Sequence, residues 1–371
     1  MNLNHPPSLR VRVLALMLLI AAATNRAAYA ADGSFIGNFK TVTTVSTTVP
    51  PNGDLNPYGV ARVPRTIGSL IEGRFLVSNF NNGANQQGTG TTIVQIAPNG
   101  TFSVFAQIDP NKVSCPGGIG LTTALVALRS GFVIVGSLPA SGGIAANAQA
   151  GCLIVLDGSG NVVETFSDHN LNGPWDMTAV DGGFLAALFV TNVLNGTVAA
   201  NGNVVNGATI VRLALSIPDG RPPQLLDSTV VASGFPERTD PAALVIGPTG
   251  VAFDDQTGIL YVADSLNNRI AAIPNALFRT HPDGVGRTVS QGGALNDPLG
   301  LALTPDHHLV SANGNDGNIV EINPRGGKQV AVELVDNTGS PPGAGALFGL
   351  TAVPEGVYFV DDISNTLNLF H

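Results

Sequence analysis

Three residues near the middle of the chain, Asp168, His169 and Asp176, are candidates for chemistry. Two carboxylates and an imidazole would form an acid/base cluster if the fold brought them together. Asp176 and Asp168 are also candidate metal ligands, because Ca²⁺ is bound by oxygen atoms. The competing interpretation is structural, with His169 as a solvated loop residue and Asp176 as the cap of a turn.

Other catalytic chemistry finds no support in the sequence. One histidine near this position cannot supply the three protein ligands of a catalytic zinc site. The sequence has no Gly-x-Ser-x-Gly elbow, Walker loop, His-Glu-x-x-His motif or Cys-x-x-Cys motif. A serine nucleophile, a phosphate-binding loop and a zinc protease site are therefore not predicted.

Three aromatic residues are predicted to bind a ligand together with Asp176. Tyr58, Trp175 and Phe348 occupy the same position of a tripeptide that recurs along the chain. Asp176 follows Trp175 where the other five copies have glycine. A carboxylate flanked by aromatic rings is suited to a small polar or sugar-like ligand. The alternative is that Trp175, the only tryptophan, packs between neighbouring sheets.

The recurring tripeptide opens a unit that repeats at roughly 50 residues, and such a period is typical of stacked or closed repeat folds. The middle residues of the six copies are Tyr58, Ile119, Trp175, Thr249, Leu299 and Phe348. Short β-branched runs bounded by Gly, Pro, Asn and Asp follow each copy and indicate strands and turns. Six such units predict an all-β fold, a six-bladed β-propeller of four-stranded antiparallel blades.

The two ends of the chain are predicted to close the ring in one blade. The last unit ends at Phe370-His371 after its third strand. The alternating stretch Phe35–Val42 precedes the first unit and is expected to supply the missing outer strand. Closure of this kind removes exposed sheet edges. Residues 31–371 are therefore expected to form a single propeller domain.

Strand direction alternates within a blade, so two kinds of loop share one face, here called the entry face. These are the loops that enter first strands and the loops that join second to third strands. The joining loops are long in the first three units, at Asn79–Thr92, Ser137–Ala150 and Thr191–Ala208, and carry no charged residue. They are interpreted either as a recognition wall or as tolerated insertions.

The two cysteines, Cys115 and Cys152, fall on this same face of the second unit. Their positions predict a disulfide, which by loop-closure entropy would contribute roughly 4 kcal/mol. The alternative is a pair of free thiols, one of them buried in a strand.

The segment from Tyr261 to Ile270, Tyr-Val-Ala-Asp-Ser-Leu-Asn-Asn-Arg-Ile, resembles the NHL-repeat propellers, with weaker echoes at 310–319 and 358–367. That family and its relatives include protein-binding scaffolds and metal-dependent enzymes. Among the enzymes are lactonases of the SMP-30/gluconolactonase type and peptidylglycine amidating lyases. The resemblance implies a six-bladed propeller whose ligands bind on the entry face.

The first 30 residues have the pattern of a secretory signal peptide. Arg10 and Arg12 precede the apolar run Val13–Ala23, and Ala28-Tyr29-Ala30 is a small-x-small cleavage site. An uncleaved anchor and cleavage after Ala23 are the alternatives. Eleven apolar residues are too few to span a bilayer, which takes about 20. The protein is therefore expected to be exported, to the periplasm or the extracellular space, and to have no membrane span after cleavage.

The excess of acidic over basic residues limits the kinds of partner that the protein is expected to bind. The chain has 17 Lys and Arg against 26 Asp and Glu, which excludes nucleic acid and anionic membranes as favoured partners. The preferred hypothesis is a monomeric binding or scaffold protein for an unidentified protein or a small polar ligand. The competing hypothesis is a Ca²⁺-dependent hydrolase or lactonase of the SMP-30 type, with carboxylates at the channel mouth.

Overall fold

The computed structural model describes residues 33–371, so the predicted signal peptide at 1–30 lies outside the described residues. The described chain folds into 25 β-strands and four short 3-10 turns, so the fold is all-β as predicted. The turns span Pro110–Lys112, Ser141–Gly143, Ala145–Asn147 and Ser265–Asn267. Residues 33–371 contain no helix that is both long enough and apolar enough to cross a membrane.

The strands form six antiparallel sheets that follow one another around a ring, which confirms the six-bladed propeller. The first strand, β1, spans Val42–Thr47 and joins the last blade. Blade 1 contains β2 to β5, at Leu55–Arg62, Phe75–Asn81, Thr92–Ile96 and Phe102–Gln107. Blade 2 contains β6 to β9, at Leu121–Ala127, Val133–Ser137, Cys152–Leu156 and Val162–Phe166. Blade 3 contains β10 to β14, at Pro174–Asp181, Leu185–Asn192, Val205–Ser216, Gln224–Asp240 and Leu244–Ile246.

The second half of the ring is more regular. Blade 4 contains β15 to β18, at Pro248–Asp254, Ile259–Asp264, Arg269–Ile273 and Arg287–Gln291. Blade 5 contains β19 to β22, at Pro298–Leu303, Leu309–Asn313, Asn318–Asn323 and Lys328–Leu334. Blade 6 contains β23 to β25, at Leu347–Val353, Gly356–Asp361 and Thr366–Phe370. Its fourth strand is β1.

Ring closure by an N-terminal strand is confirmed, but the residues differ from those predicted. The closing strand β1 pairs with β25 from Val42 opposite Phe370 to Thr47 opposite Thr366. Most of the predicted stretch instead makes a turn, because the buried carboxylate of Glu321 accepts hydrogen bonds from the amides of Phe35 and Ile36 at 2.9 and 2.8 Å. Ile36 is fully buried between blades 5 and 6, which fixes the segment.

Apolar clusters between adjacent blades form the core. In β24 the alternation of side chains is visible directly, since Val357 and Phe359 face the cluster shared with blade 5. Tyr358 and Val360 face the cluster shared with blade 1. A strand that is buried on both faces needs apolar side chains on both. The second strands are therefore continuous apolar runs in the sequence.

The glycine that ends most tripeptides lies where neighbouring inner strands touch. A Cβ added to Gly300 would collide with the backbone oxygen of Phe348 in the next blade. A Cβ added to Gly349 would collide in the same way with the oxygen of Tyr58. Blade 3 has Asp176 at this position, so its contact with blade 4 is made by a side chain.

Candidate ligand-binding pocket

The middle residues of five tripeptides form a floor across the axis of the ring. The ring of Tyr58 stacks on Phe348 with 3.9 Å between centroids and meets Trp175 edge-on at 5.9 Å. Thr249 and Leu299 complete the floor. The floor divides the axis into two cavities that share no lining residue.

The cavity on the entry side, here called the entry pocket, has a volume of about 510 Å³. This size is within the usual range for small-molecule sites. Its floor is aromatic, and its walls carry one arginine, three aspartates and three asparagines. They are Arg238, Asp240, Asp297, Asp362, Asn268, Asn296 and Asn315.

Burial shifts two of the pocket carboxyls. Burial raises the pKa of Asp297 to about 6, with the charge of Asp240 adding to the shift and Arg238 opposing it. Burial raises the pKa of Asp362 to about 8, and the neighbouring Asp361 carboxylate adds to it. Both shifts follow from the cost of a charge held away from water.

The three pocket aspartates are also held in place, Asp240 and Asp362 through their carboxyl groups and Asp297 through its backbone. Asp240 pairs with Arg238 at 2.6 Å. The backbone amide of Asp297 donates to the Asn268 side chain at 2.6 Å. With its NH₂ group turned toward the carboxylate, Asn56 donates to Asp362 at 2.9 Å. The pocket therefore presents positioned acidic groups above an apolar surface.

A hairpin from blade 3 roofs this pocket. The 17-residue strand β13 runs past its sheet, turns at Asp240 and pairs with β14, so that Asp240 lies opposite Leu244. Residues 237–246 are here called the cap hairpin. Its tip reaches the long loop of blade 1, where Gln87 Nε2 donates to the Ala242 carbonyl at 2.7 Å.

The long loops of blades 2 and 3 share an apolar cluster with the cap hairpin. Leu138 and Val193 from two of these loops share one core cluster with Leu244 and Val245 of the hairpin. Leu244 is fully buried although its φ is 65°. Leu138 and Val193 thus face inward and help to roof the pocket, whereas Ile144 and Val204 of the same loops are exposed. The role of the loops as a recognition wall remains a prediction.

The structure separates Asp176 from the aromatic residues predicted to act with it. Tyr58, Trp175 and Phe348 line the entry pocket, whereas Asp176 lies below the floor in the other cavity. Its carboxylate accepts from the amide of Met177 at 2.7 Å and from that of Val251 in blade 4. Burial raises the pKa of Asp176 well above its usual value.

The predicted acid/base cluster is not assembled. Asp168 accepts a hydrogen bond from Ser228 of β13 at 2.8 Å, which ties its loop to the outer part of blade 3. Nδ1 of His169 lies 3.5 Å from the Asp168 carboxylate, and the His169 side chain is 83% exposed. Neither residue lines either cavity, because the loop between β9 and β10 meets the ring away from the axis.

The predicted disulfide is present. Cys115 and Cys152 are bonded, with their Cα atoms 5.4 Å apart. Cys152 is the first residue of β8, directly after the long loop of blade 2, and Cys115 lies in the loop that enters this blade. The bond therefore fastens one end of the roof to the ring.

The second cavity, here called the axial channel, has a volume of about 370 Å³. The inner strands line it from Asp176 to their carboxyl ends, so it opens on the face opposite the entry pocket. Arg62 and Asp181 are the last residues of β2 and β10, and Arg129 follows β6. All three mark the mouth of the channel.

The pocket does not fit a calcium ion well. Ca²⁺ takes six to eight oxygen ligands, several of them carboxylates. Within residues 33–371, the only three acidic or imidazole groups that lie within 4.8 Å of one another are Asp254, Asp255 and His307. They belong to turns on the face opposite the entry pocket. The three pocket aspartates are thus too dispersed to form such a cluster.

Sequence reasoning missed two parts of the pocket. Asp362 directly follows β24, the second strand of blade 6. The pair Asp361-Asp362 was the only feature of the sequence that indicated it. The cap hairpin was also missed, although the run Leu244-Val245-Ile246 has the β-branched character of a strand. Its register depends on contacts with loops distant in sequence.

Comparisons with known proteins identify the fold of the chain but not its family. No family model matches the chain, and no curated protein matches it. Among solved structures, a gluconolactonase from Xanthomonas campestris is 14% identical with a TM-score of 0.55 and covers 93% of each chain. A calcium-binding protein, regucalcin, from Agrobacterium tumefaciens is 13% identical with a TM-score of 0.51, covering 88% of this chain and 93% of that one.

A luciferin-regenerating enzyme is also similar, at 11% identity and a TM-score of 0.52, over 88% of this chain and 94% of that chain. At such low identity these likenesses establish the architecture and leave the activity open. The chain is thus a six-bladed β-propeller with the fold of the gluconolactonase and regucalcin structures.

Proposed function

We propose that the protein binds a small, hydroxyl-rich, sugar-like ligand in the entry pocket and acts as a binding protein. The observation that supports this most is the combination of positioned carboxyl and amide groups with an aromatic floor in one cavity of about 510 Å³. Apolar sites with a few convergent polar groups are the usual form of small-molecule sites.

The chemistry of the walls suits hydroxyl groups. Asp297, with a pKa of about 6, is mainly ionised at neutral pH and accepts hydrogen bonds. Asp362, with a pKa of about 8, is mainly protonated there and offers a donor. A hydroxyl both donates and accepts, so it is complementary to this pair. Tyr58, Trp175 and Phe348 present apolar surface for the C–H face of a ring.

Calcium-dependent lactone hydrolysis is the competing function, and its support is the fold shared with the gluconolactonase and regucalcin structures. The dispersed aspartates of the pocket do not favour it. The positions nearest the axis are filled by Tyr58, Trp175 and Leu299, whose side chains provide few oxygen atoms that could bind Ca²⁺. We therefore place binding ahead of hydrolysis.

The test is a calorimetric titration of the protein with D-glucose and with myo-inositol. Asp297→Asn keeps the shape of the side chain but removes its charge, and should weaken binding about tenfold because a charge-assisted hydrogen bond is lost. Asp219→Asn, at an exposed turn outside the pocket, is the matched control. No heat of binding at 50 mM ligand, or equal affinity in both variants, would refute the proposal.

The competing function is tested separately with glucono-δ-lactone. Hydrolysis is followed at constant pH by alkali consumption, with and without 5 mM CaCl₂. We expect the rate to equal that of the lactone in buffer. A calcium-dependent rate that disappears in Asp297→Asn would replace the binding proposal with the enzyme.

We also propose that the protein is exported. The Cys115–Cys152 bond supports this, because structural disulfides persist in oxidising compartments. Fractionation of expressing cells and N-terminal sequencing of the mature chain test it. A protein that begins at Met1 and remains with the cytosol would overturn this assignment.

A further inference from the structure

The axial channel contains polar groups that the entry pocket does not use. Thr123 lines the channel and is only 4% exposed. Its hydroxyl oxygen has no hydrogen-bond partner among the described residues. A buried hydroxyl without a partner destabilises the fold, so its presence at the wall of a cavity points to a ligand.

Asp176 lies at the same inner end of the channel. Its carboxyl accepts from the amides of Met177 and Val251, which fixes its orientation. Burial raises the pKa of this carboxyl well above its usual value, a shift that favours its protonated form. The inner end of the channel therefore offers a threonine hydroxyl without a partner and a carboxyl group of fixed orientation.

The mouth of the channel, in contrast, carries positively charged side chains. Arg62 and Arg129 both lie there. Neither guanidinium forms an ion pair within the part of the chain that the structure describes. Asp181, the acid beside them, is occupied by the amides of Arg129 and Gly183 at 2.6 and 2.8 Å. The mouth is thus suited to an anion, although the whole chain is acidic.

The distance between these two ends sets the shape of a ligand. Asp181 lies five positions after Asp176 along β10, and a strand rises about 3.3 Å per residue. The ends are therefore about 16 Å apart, less the reach of the arginine side chains into the channel. Between them the lining includes the apolar residues Leu125, Val251 and Leu301.

We propose that the axial channel binds an elongated organic monoanion. Its carboxylate pairs with Arg62 and Arg129 at the mouth, its apolar body lies along the strand walls, and a terminal hydroxyl bonds to Thr123 and Asp176. This site is independent of the entry pocket, because the aromatic floor separates them.

Three matched probes test the assignment by calorimetric titration of the full chain. 6-Hydroxyhexanoate carries both end groups, hexanoate lacks the hydroxyl, and hexane-1,6-diol lacks the charge. We expect 6-hydroxyhexanoate to bind at least fivefold more tightly than either of the others, since each lost hydrogen bond or ion pair weakens binding.

Two variants assign the contacts. Thr123→Val should lower the affinity for 6-hydroxyhexanoate about fivefold and leave hexanoate unchanged. The double variant Arg62→Met, Arg129→Met should weaken both acids about tenfold and leave the diol unchanged. Both arginines are exposed, so this variant should fold normally.

Two outcomes would overturn the proposal. One is that none of the three probes binds at 50 mM. The other is that Thr123→Val weakens hexanoate as much as 6-hydroxyhexanoate. Asp297→Asn, in the entry pocket, should leave all three affinities unchanged, so failure of this proposal and failure of sugar binding are distinguishable.

Discussion

The entry pocket and the axial channel lie on one axis, yet they are built by different means. The channel is lined by the repeat itself, with residues at corresponding positions of the inner strands. The pocket is formed where the repeat is interrupted, by the cap hairpin of blade 3 and by acids from blades 4 to 6. A closed ring thus supplies a channel in any case, whereas the pocket depends on irregular additions.

The floor keeps these two regions apart, and Trp175→Ala would remove the separation. Trp175 is 1% exposed, and truncation of a buried aromatic side chain costs about 3–5 kcal/mol. We expect a loss of that size in the free energy of unfolding measured with urea. Phe184→Ala is the control, because Phe184 is 74% exposed and should change stability little. Equal losses in the two variants would contradict the buried floor.

Removal of the disulfide is expected to affect the roofed entry pocket and to leave the axial channel unchanged. The variant Cys115→Ser, Cys152→Ser releases one end of the roof and should lower the free energy of unfolding by about 2–4 kcal/mol. Because the bond lies on the entry side, sugar binding should weaken while binding of 6-hydroxyhexanoate stays the same. Titrations of this variant with both ligands check the difference. Equal weakening at the two sites would show that the bond stabilises the whole ring.

The pocket should also respond to pH through Asp362. Its pKa is about 8 in the folded protein and about 3.9 in the unfolded chain. The folded state therefore retains a proton that the unfolded chain releases. The resulting stability is complete below about pH 4 and is lost as the pH rises through about 8.

Asp362→Asn should remove this part of the pH dependence. Relative to the native protein, its free energy of unfolding should rise by more than about 1 kcal/mol between pH 5 and pH 9. Urea unfolding at pH 5, 7 and 9 measures this rise. Asp219→Asn, at an exposed turn, should follow the native profile. A parallel profile for Asp362→Asn would show that Asp362 is not a buried acid.

Much of the regular structure could be predicted from the sequence. Five of the second strands end at short polar residues, which are turn signals in the sequence: Ser137, Asn192, Asp264, Asn313 and Asp361. In blade 1 the second strand ends at Asn81, which pairs with Leu55. These ends are local features, since short polar residues at turns bond to nearby groups. An example is Asp361, which accepts from the amide of Ser364 at 2.9 Å.

The candidate site was predicted less completely. The shared position of Tyr58, Trp175 and Phe348 correctly indicated residues that meet at the axis. The sequence could not show that Asp176 lies on the other side of the floor. Adjacent side chains of a strand point in opposite directions, but the register decides which of them faces a given cavity. A bulge between Pro174 and Met177 sets that register.

By itself, the sequence determined the ring, its closure by both chain ends and the pairing of Cys115 with Cys152. Each of these follows from a periodic pattern or from position within one unit, so local information was sufficient. Only the tertiary structure decided the path of the cap hairpin and the burial of Asp297 and Asp362. These features depend on contacts between blades far apart in the chain, where desolvation and packing act on groups that no local pattern relates.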